Sequence, residues 1–370
     1  MNFKIKRTIL LDCLSKTTKA VSSKSPLPIL TGIRFQLFDN KLVLTGSDSN
    51  ISIQSTVLAS DDLEIFKEGS VVLSAKFIYE IVRKINNDFI TIEIIDGLLT
   101  RISGSNSEYN LNGSEASDYP SINLAQTGPS FTINALKFKE LIAHTKFAAS
   151  DKQTKPILTG INFKASNQLL ECIATDSYRL ARSTTSINDQ LEFNITIPHR
   201  SLDELFKIID LDEEMKVYVS DQRVLFIYDN TVIQSRLIEG TYPDTSRLIP
   251  DATDHILVVN SSDFMNSIDR VALISNELNS IITLNISNND IKLSCYQQEI
   301  GSVEEDISDT YYKGDDLQIS FSSKYVVEAL RSFGLDRQII INFSGEMRPF
   351  TLKDQHNDQC LHLVLPVRTY

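Results

Sequence analysis

One helical stretch of this chain is written three times, at a spacing of 124 residues. The stretch Ser74–Arg83 recurs as Pro198–Lys207 and again as Ser322–Arg331. Three charges keep strict register: basic Lys76/Arg200/Lys324, acidic Glu80/Glu204/Glu328 and basic Arg83/Lys207/Arg331. The apolar residues hold the same frame, as Ile78/Leu202/Val326, Val82/Phe206/Leu330 and Ile85/Ile209/Phe333. Spacings of four and three mark an amphipathic helix with one buried face. Ser74, Pro198 and Ser322 open the three copies, as N-cap or first-turn residues do. A chain built this way must fold as copies of one unit rather than around a single core.

A second repeat lies upstream. Pro28-Ile29-Leu30-Thr31-Gly32-Ile33-Arg34-Phe35 returns as Pro156-Ile157-Leu158-Thr159-Gly160-Ile161-Asn162-Phe163, with a degraded third copy near Ile281-Ile282-Thr283-Leu284. Another helical pattern precedes each copy: Leu10, Leu11, Leu14; Phe138, Leu141, Ile142; Phe264, Ile268, Val271. Segments such as Lys41–Leu44 and Phe89–Ile95 alternate as strands do. Each unit therefore reads as strand, helix, strands, helix, strands. Turn-rich stretches at Gln126–Pro129 and Pro250–Asp254 set boundaries at 1–126, 127–251 and 252–370. The fold class is α+β, in three tandem repeats of two helices packed on antiparallel sheets.

The repeated charges carry the functional question. Lys76 and Arg83 lie two turns apart on one face, as do Arg200/Lys207 and Lys324/Arg331. One reading is a solvated face, with Glu80 pairing to Lys76 and Arg83. Such pairs contribute only about 0.2–0.5 kcal/mol each, too little to explain a pattern kept in three copies. The sharper reading is a basic row, presented three times, that faces a polyanion. The first helices add Lys16, Lys19 and Lys24, then Lys137, Lys139, Lys146 and Lys152, then Arg270. Against this stands an overall balance of 36 basic and 48 acidic residues, net −12. A uniformly acidic surface is repelled by phosphate, so nucleic-acid binding requires the basic residues to be segregated.

Enzymatic signatures are missing from the sequence. There is no P-loop, dinucleotide fingerprint, nucleophile elbow, C-x-x-C or H-E-x-x-H. His144, His199, His255, His356 and His362 are isolated, and Cys13, Cys172, Cys295 and Cys360 occur singly. That pattern predicts reduced thiols, no metal, no cofactor and a cytoplasmic protein. Met1–Lys16 holds no long apolar stretch and no small-residue cleavage site, so no signal peptide is read there.

Four strings then point to a family. They are Leu27-Pro28-Ile29-Leu30, Ala174-Thr175-Asp176-Ser177-Tyr178-Arg179-Leu180-Ala181, Tyr242-Pro243-Asp244, and Leu363-Val364-Leu365-Pro366-Val367-Arg368. Over essentially its whole length the chain resembles the bacterial sliding clamps, the β subunits of DNA polymerase III. The resemblance implies a head-to-tail homodimer that closes a six-domain ring around double-stranded DNA, without catalysis. The partners it implies are the catalytic subunit of DNA polymerase III, the clamp loader, and other polymerases and repair proteins with Q-L-x-L-F-like motifs.

The resemblance also implies sites. DNA contacts would come from Lys24, Lys76, Arg83, Lys152, Gln153, Arg200, Lys207, Lys324 and Arg331. A pocket for partner peptides would be walled by Thr175, Ser177, Tyr178, Arg179, Leu180, Pro243, Arg247, Leu248, Pro349, Leu363, Leu365, Pro366 and Val367. Core packing is the competing explanation for Leu180, Leu248 and Leu363. The dimer interface would hold Tyr109, Leu273, Ile274, Glu304 and Glu305. Ser177 stands where the family commonly has glycine, Asn106 and Glu108 where it often has arginine, and Thr369-Tyr370 extend the usual end. Two other classes compete. An enzyme on the same scaffold would need converging carboxylates and a metal. A scaffold that binds only proteins would tolerate charge reversal along the basic rows.

Overall fold

A computed structural model of the chain describes residues 1–250, 253–275, 280–287 and 290–368. The boundary expected at 251/252 and the extension Thr369-Tyr370 fall outside them. The first repeat runs β1 (Asn2–Lys6), α1 (Arg7–Thr17), β2 (Gly32–Phe38), β3 (Lys41–Ser47), β4 (Ile51–Leu58), β5 (Leu63–Lys67), β6 (Gly69–Ser74), α2 (Ala75–Lys84), β7 (Phe89–Asp96), β8 (Leu99–Ser103) and β9 (Glu108–Asn112). The second runs β10 (Ser130–Asn134), α3 (Ala135–Thr145), β11 (Gly160–Ser166), β12 (Leu169–Thr175), β13 (Arg179–Ser186), β14 (Phe193–Pro198), α4 (His199–Ile208), β15 (Glu214–Val219), β16 (Arg223–Tyr228) and β17 (Thr231–Arg236). The third runs β18 (His255–Asn260), α5 (Ser261–Ala272), β19 (Ile281–Ser287), β20 (Asp290–Gln297), β21 (Gly301–Asp306), β22 (Tyr311–Lys313), β23 (Leu317–Ser322), α6 (Ser323–Phe333), β24 (Gln338–Phe343), β25 (Phe350–Asp354) and β26 (Asn357–Val364).

The repeat order expected from sequence is the order observed. Helices α2, α4 and α6 begin at Ala75, His199 and Ser323, each 124 residues after the last. Their apolar stripes go inward: Ile78, Val82, Leu202, Val326 and Leu330 are all buried, while in α4 Phe206 is half-buried and Leu205 beside it takes the buried place. The degraded third copy at Ile281 is also in register. β19 pairs with β20 and β23 just as β2 pairs with β3 and β6. Alternation decides each strand's face, so Ile282, Leu284 and Ile286 are buried while their neighbours in β19 are half-buried or exposed. Ser74 and Ser322 do occupy N-cap positions, but neither side chain makes the capping bond.

Compactness divides the chain differently from its repeats. One unit comprises Met1–Leu136 with Arg200–Leu237, the other Lys137–His199 with Ile238–Tyr370. Within the first unit lie a sheet ordered β5-β1-β7-β8-β9 and a longer one ordered β10-β15-β16-β17-β4-β3-β2-β6. Its core packs α1 and α2 on these strands through Leu10, Leu14, Ile78, Val82, Phe3 and Phe35. Within the second unit lie a sheet ordered β14-β11-β12-β13-β26-β25-β24-β18-β22 and one ordered β21-β20-β19-β23. Phe264, Ile268, Val326, Leu330, Phe343 and Phe350 anchor that core. The middle repeat is shared because both of its edges are used. β17 pairs antiparallel with β4 of the first repeat, and β13 pairs antiparallel with β26 of the third.

Candidate functional site

The three basic rows are all presented to solvent. Lys76, Arg83, Arg200, Lys207, Lys324 and Arg331 are exposed, and each flanks a half-buried glutamate. The expected Lys76–Glu80 pair does not form. Glu80 sits 2.7 Å from Arg83 and 3.9 Å from Lys84, while the Lys76 ammonium lies 6.0 Å from the Phe77 ring centroid. Arg83 holds the Glu80 carboxyl below its ordinary pKa through that hydrogen bond. Glu204 pairs with Lys207 at 2.9 Å, and Arg200 reaches Asp48 at 3.2 Å. Glu328 departs from the pattern: its partner is Arg179, not Arg331. Lys24, Lys152 and Gln153 are exposed in the loops before the two Pro-Ile-Leu turns. Lys16, counted among the basic residues of the first helix, is only 8% exposed. Asp12 at 2.8 Å and Asp229 at 3.3 Å neutralise it, so it offers no free charge.

The pocket residues carried over by resemblance converge in the second unit. The turn between β12 and β13 is built by its own polar side chains. The Tyr178 and Arg179 amides donate to Asp176 Oδ1 at 2.9 and 3.0 Å, and Thr175 Oγ1 donates to the Arg179 carbonyl at 2.6 Å. At the centre of the turn Ser177 has φ +80°, the left-handed region where glycine is unstrained. That conformation is the physical reason glycine suits this position. The Tyr242 hydroxyl accepts from the Thr175 amide at 3.0 Å and is buried, which pushes its pKa up. The chain end closes the other side, with the Leu365 amide donating to the Tyr178 carbonyl at 2.9 Å and the Val367 amide to the Ser320 carbonyl at 2.7 Å.

Floor and rim separate cleanly. Leu180 and Leu363 are 1% and 3% exposed and pack with Leu361, flanked by half-buried Ile173, Ile249 and Leu365. Tyr178 and Leu248 are 56% and 50% exposed. Ser177, Pro243 and Arg247 are also exposed, and Pro349, Pro366 and Val367 half-buried. Tyr242, Ile173 and Ile249 were not singled out from sequence as members of this region. The motif Tyr242-Pro243-Asp244 was the signal that pointed to the first of them.

The repeat comparison exposes two unmatched edges. β4 and β13 are equivalent third strands after the first helix, and they pair with β17 and β26, the equivalent last strands. Their remaining counterparts, β21 and β9, end their sheets. Tyr109 lies on β9, and Glu304 and Glu305 on β21. Leu273, at the end of α5, is 82% exposed, and Ile274 beside it is half-buried. The two glutamates already have partners within the chain: Lys292 at 3.1 Å from Glu304, and Arg270 at 3.0 Å from Glu305. Glu108 lies 3.4 Å from Arg101.

The histidines that carry side-chain bonds have structural partners: His144 with Ser183, His199 with the Thr159 carbonyl, His255 with Tyr312 and His362 with Ser332. The four cysteines are buried, and burial raises every thiol pKa, that of Cys13 to about 12. Among the described residues no three ligating side chains are grouped for a metal, and no helix is long and apolar enough to cross a membrane.

Fold and site together define a repeat-built α+β protein with exposed basic rows on α2, α4 and α6 and a small apolar cluster beside the β12–β13 turn. Models of the N-terminal, central and C-terminal domains of the DNA polymerase III beta subunit match residues 1–124, 132–244 and 246–368. The beta sliding clamps of Staphylococcus epidermidis and Bacillus subtilis are each 38% identical, over all of both chains. The crystal structure of the Bacillus subtilis clamp superposes over all of both chains with a TM-score of 0.95, at 38% identity. A Pseudomonas aeruginosa clamp bound to griselimycin does so with a TM-score of 0.93, at 25% identity and again full coverage. The chain belongs to the DNA polymerase III beta-subunit family. Its function is that of a DNA sliding clamp, which tethers the polymerase and confers processivity without catalysing a reaction. The architecture of that family is a ring of two chains.

Proposed function

We propose that two copies of this chain close a ring by pairing β9 of one with β21 of the other at both junctions. The observation that carries this reading is the pair of unmatched edges. Every other such edge among the repeats is already consumed, by β4 with β17 and β13 with β26. A head-to-tail join that repeats the internal one pairs both of these unmatched strands. Tyr109, Leu273 and Ile274 supply apolar cover at the junction. Glu304 and Glu305 enter it already paired to Lys292 and Arg270, so ion pairs between chains contribute little. The domain boundaries are placed at 126/127 and 251/252; the first lies in the gap between the N-terminal and central matched segments, while the central and C-terminal segments divide at 244–246.

In this reading the rows Lys76/Arg83, Arg200/Lys207 and Lys324/Arg331, with Lys24, Lys152 and Gln153, face duplex DNA. A ring is retained by topology, so its contacts stay weak, sequence-independent and salt-sensitive despite the net charge of −12. The pocket takes Q-L-x-L-F-like segments of the polymerase III catalytic subunit, the clamp loader and other polymerases and repair proteins. Its buried leucines form the floor, and Tyr178, Leu248, Pro243 and Pro349 the rim. The binding of griselimycin by the Pseudomonas aeruginosa relative supports a ligand-accepting surface on this fold. The site of action is the cytoplasm.

The test is retention on circular DNA. Clamp loaded onto a nicked plasmid and filtered at high salt should stay bound until a restriction enzyme linearises the plasmid, and then leave. Loss from the circle and the line at equal rates would reject encirclement.

A further inference from the structure

The three helix glutamates occupy one repeat position but do not share one job. In α2 and α4 the glutamate pairs with the basic residue three places on, Arg83 or Lys207. In α6, Glu328 instead binds Arg179, which lies 149 residues earlier at the start of β13. Arg179 is 8% exposed, although it is an arginine beside a docking turn. It is held on four sides. Asp176 accepts from its Nε at 3.0 Å, Glu328 takes one terminal nitrogen, and the rings of Tyr325 and Phe147 lie 4.5 and 5.3 Å from the guanidinium carbon. Two of those four partners, Tyr325 and Glu328, are one turn apart on α6.

A guanidinium this enclosed gives up most of its hydration, and it keeps its place only while both carboxylates remain. Its own turn supplies just one of them. The other comes from the helix whose outer face carries Lys324 and Arg331. Among the described residues Arg331 has no carboxylate within 4.0 Å, so the third row carries two uncompensated positive charges, whereas in the second Lys207 pairs with Glu204 and Arg200 with Asp48.

We propose that Glu328 is a positioning residue of the docking pocket: through Arg179 it fixes the Thr175–Tyr178 turn, and so makes docking of apolar peptides depend on α6. This rests on the pocket reading above and deepens it. Neither Glu80 nor Glu204 has this role, because neither reaches a residue of the pocket.

The experiment compares Glu328→Gln with Glu204→Gln, in the full-length protein. Binding of a fluorescent peptide bearing a Q-L-x-L-F-like sequence is read by anisotropy, and amide exchange by mass spectrometry over residues 174–180 and 363–368. Loss of one charged partner should weaken peptide binding about tenfold in Glu328→Gln. Exchange at the Tyr178 and Leu365 amides should rise, and Glu204→Gln should match wild type in both. Tyr325→Leu, which keeps both carboxylates and removes one ring, should lie between them and guards against a folding defect in Glu328→Gln. Peptide binding within twofold of wild type, with unchanged exchange, would overturn the proposal and leave the pocket reading standing. Failure of the wild type itself to bind the peptide would overturn the pocket reading instead, and the docking role of Glu328 with it.

Discussion

Truncating Leu180 and truncating Leu248 should injure the molecule in different ways. Leu180 is 1% exposed and sits on the floor with Leu361 and Leu363. Leu→Ala at a fully buried site costs about 2–5 kcal/mol, combining lost transfer energy with a residual cavity. This cluster is small, and half of its members are only partly buried, so neighbours can relax into the gap. The low end applies, about 2–3 kcal/mol. Leu248 is 50% exposed. It has already forgone half of the transfer term, so its truncation should cost under about 1 kcal/mol of stability. As a rim anchor it should still cost about 1–3 kcal/mol of peptide affinity, about fivefold to 150-fold. Leu180→Ala should lose both stability and affinity. The assay pairs urea denaturation, followed by far-UV circular dichroism, with titration of a labelled peptide. If Leu248→Ala destabilises the fold as much as Leu180→Ala, or leaves peptide binding intact, the division into floor and rim is wrong.

Other outcomes follow from single residues. His362 is fully buried, its Nε2 shared with Ser332 at 2.7 Å, and burial holds its pKa well below the usual 6.5. The folded state disfavours the proton and the unfolded state accepts it. The stability His362 contributes is therefore complete above about pH 6.5 and lost as pH falls below that value, and His362→Gln should flatten this part of a thermal-melt pH profile. Ser177 sits at φ +80°, so Ser177→Gly should be tolerated or stabilising by up to about 1 kcal/mol, and Ser177→Val destabilising, in chemical denaturation. Replacing the 82%-exposed Leu273 by aspartate should shift sedimentation toward monomer and leave far-UV circular dichroism unchanged, with any fall in melting temperature limited to what lost association contributes. Reversing Lys76, Arg200 and Lys324 to glutamate should reduce the salt slope of duplex binding by about 0.9 for each phosphate that is no longer neutralised.

Periodicity made the local structure readable. The 124-residue spacing located three of the helices, and apolar alternation located strands such as β3 and β7, because both patterns reflect which face is buried. What pairs across the fold was not readable. Arg179 meets Glu328 over 149 residues, and Lys16 meets Asp229 over 213, and nothing in local spacing announces either. Within α2, Glu80 was expected to pair with Lys76 and Arg83, and only the Arg83 pair forms. Helical geometry allows either neighbour, and Arg83 and Lys84 together outcompete Lys76. The sharing of the middle repeat between two compact units was likewise hidden, since it depends on ladders between repeats rather than within them. The pocket positions came from resemblance alone, and spacing could not tell the buried floor at Leu180 and Leu363 from the exposed rim at Tyr178 and Leu248.

β9 and β21, the two repeat-equivalent strands left unmatched inside one chain, are proposed to close a ring between two. Negative-stain electron microscopy of the purified protein at micromolar concentration tests it most directly. Two-chain rings with an open centre and six-fold pseudo-symmetry are expected. Particles without a central hole at that concentration would contradict it.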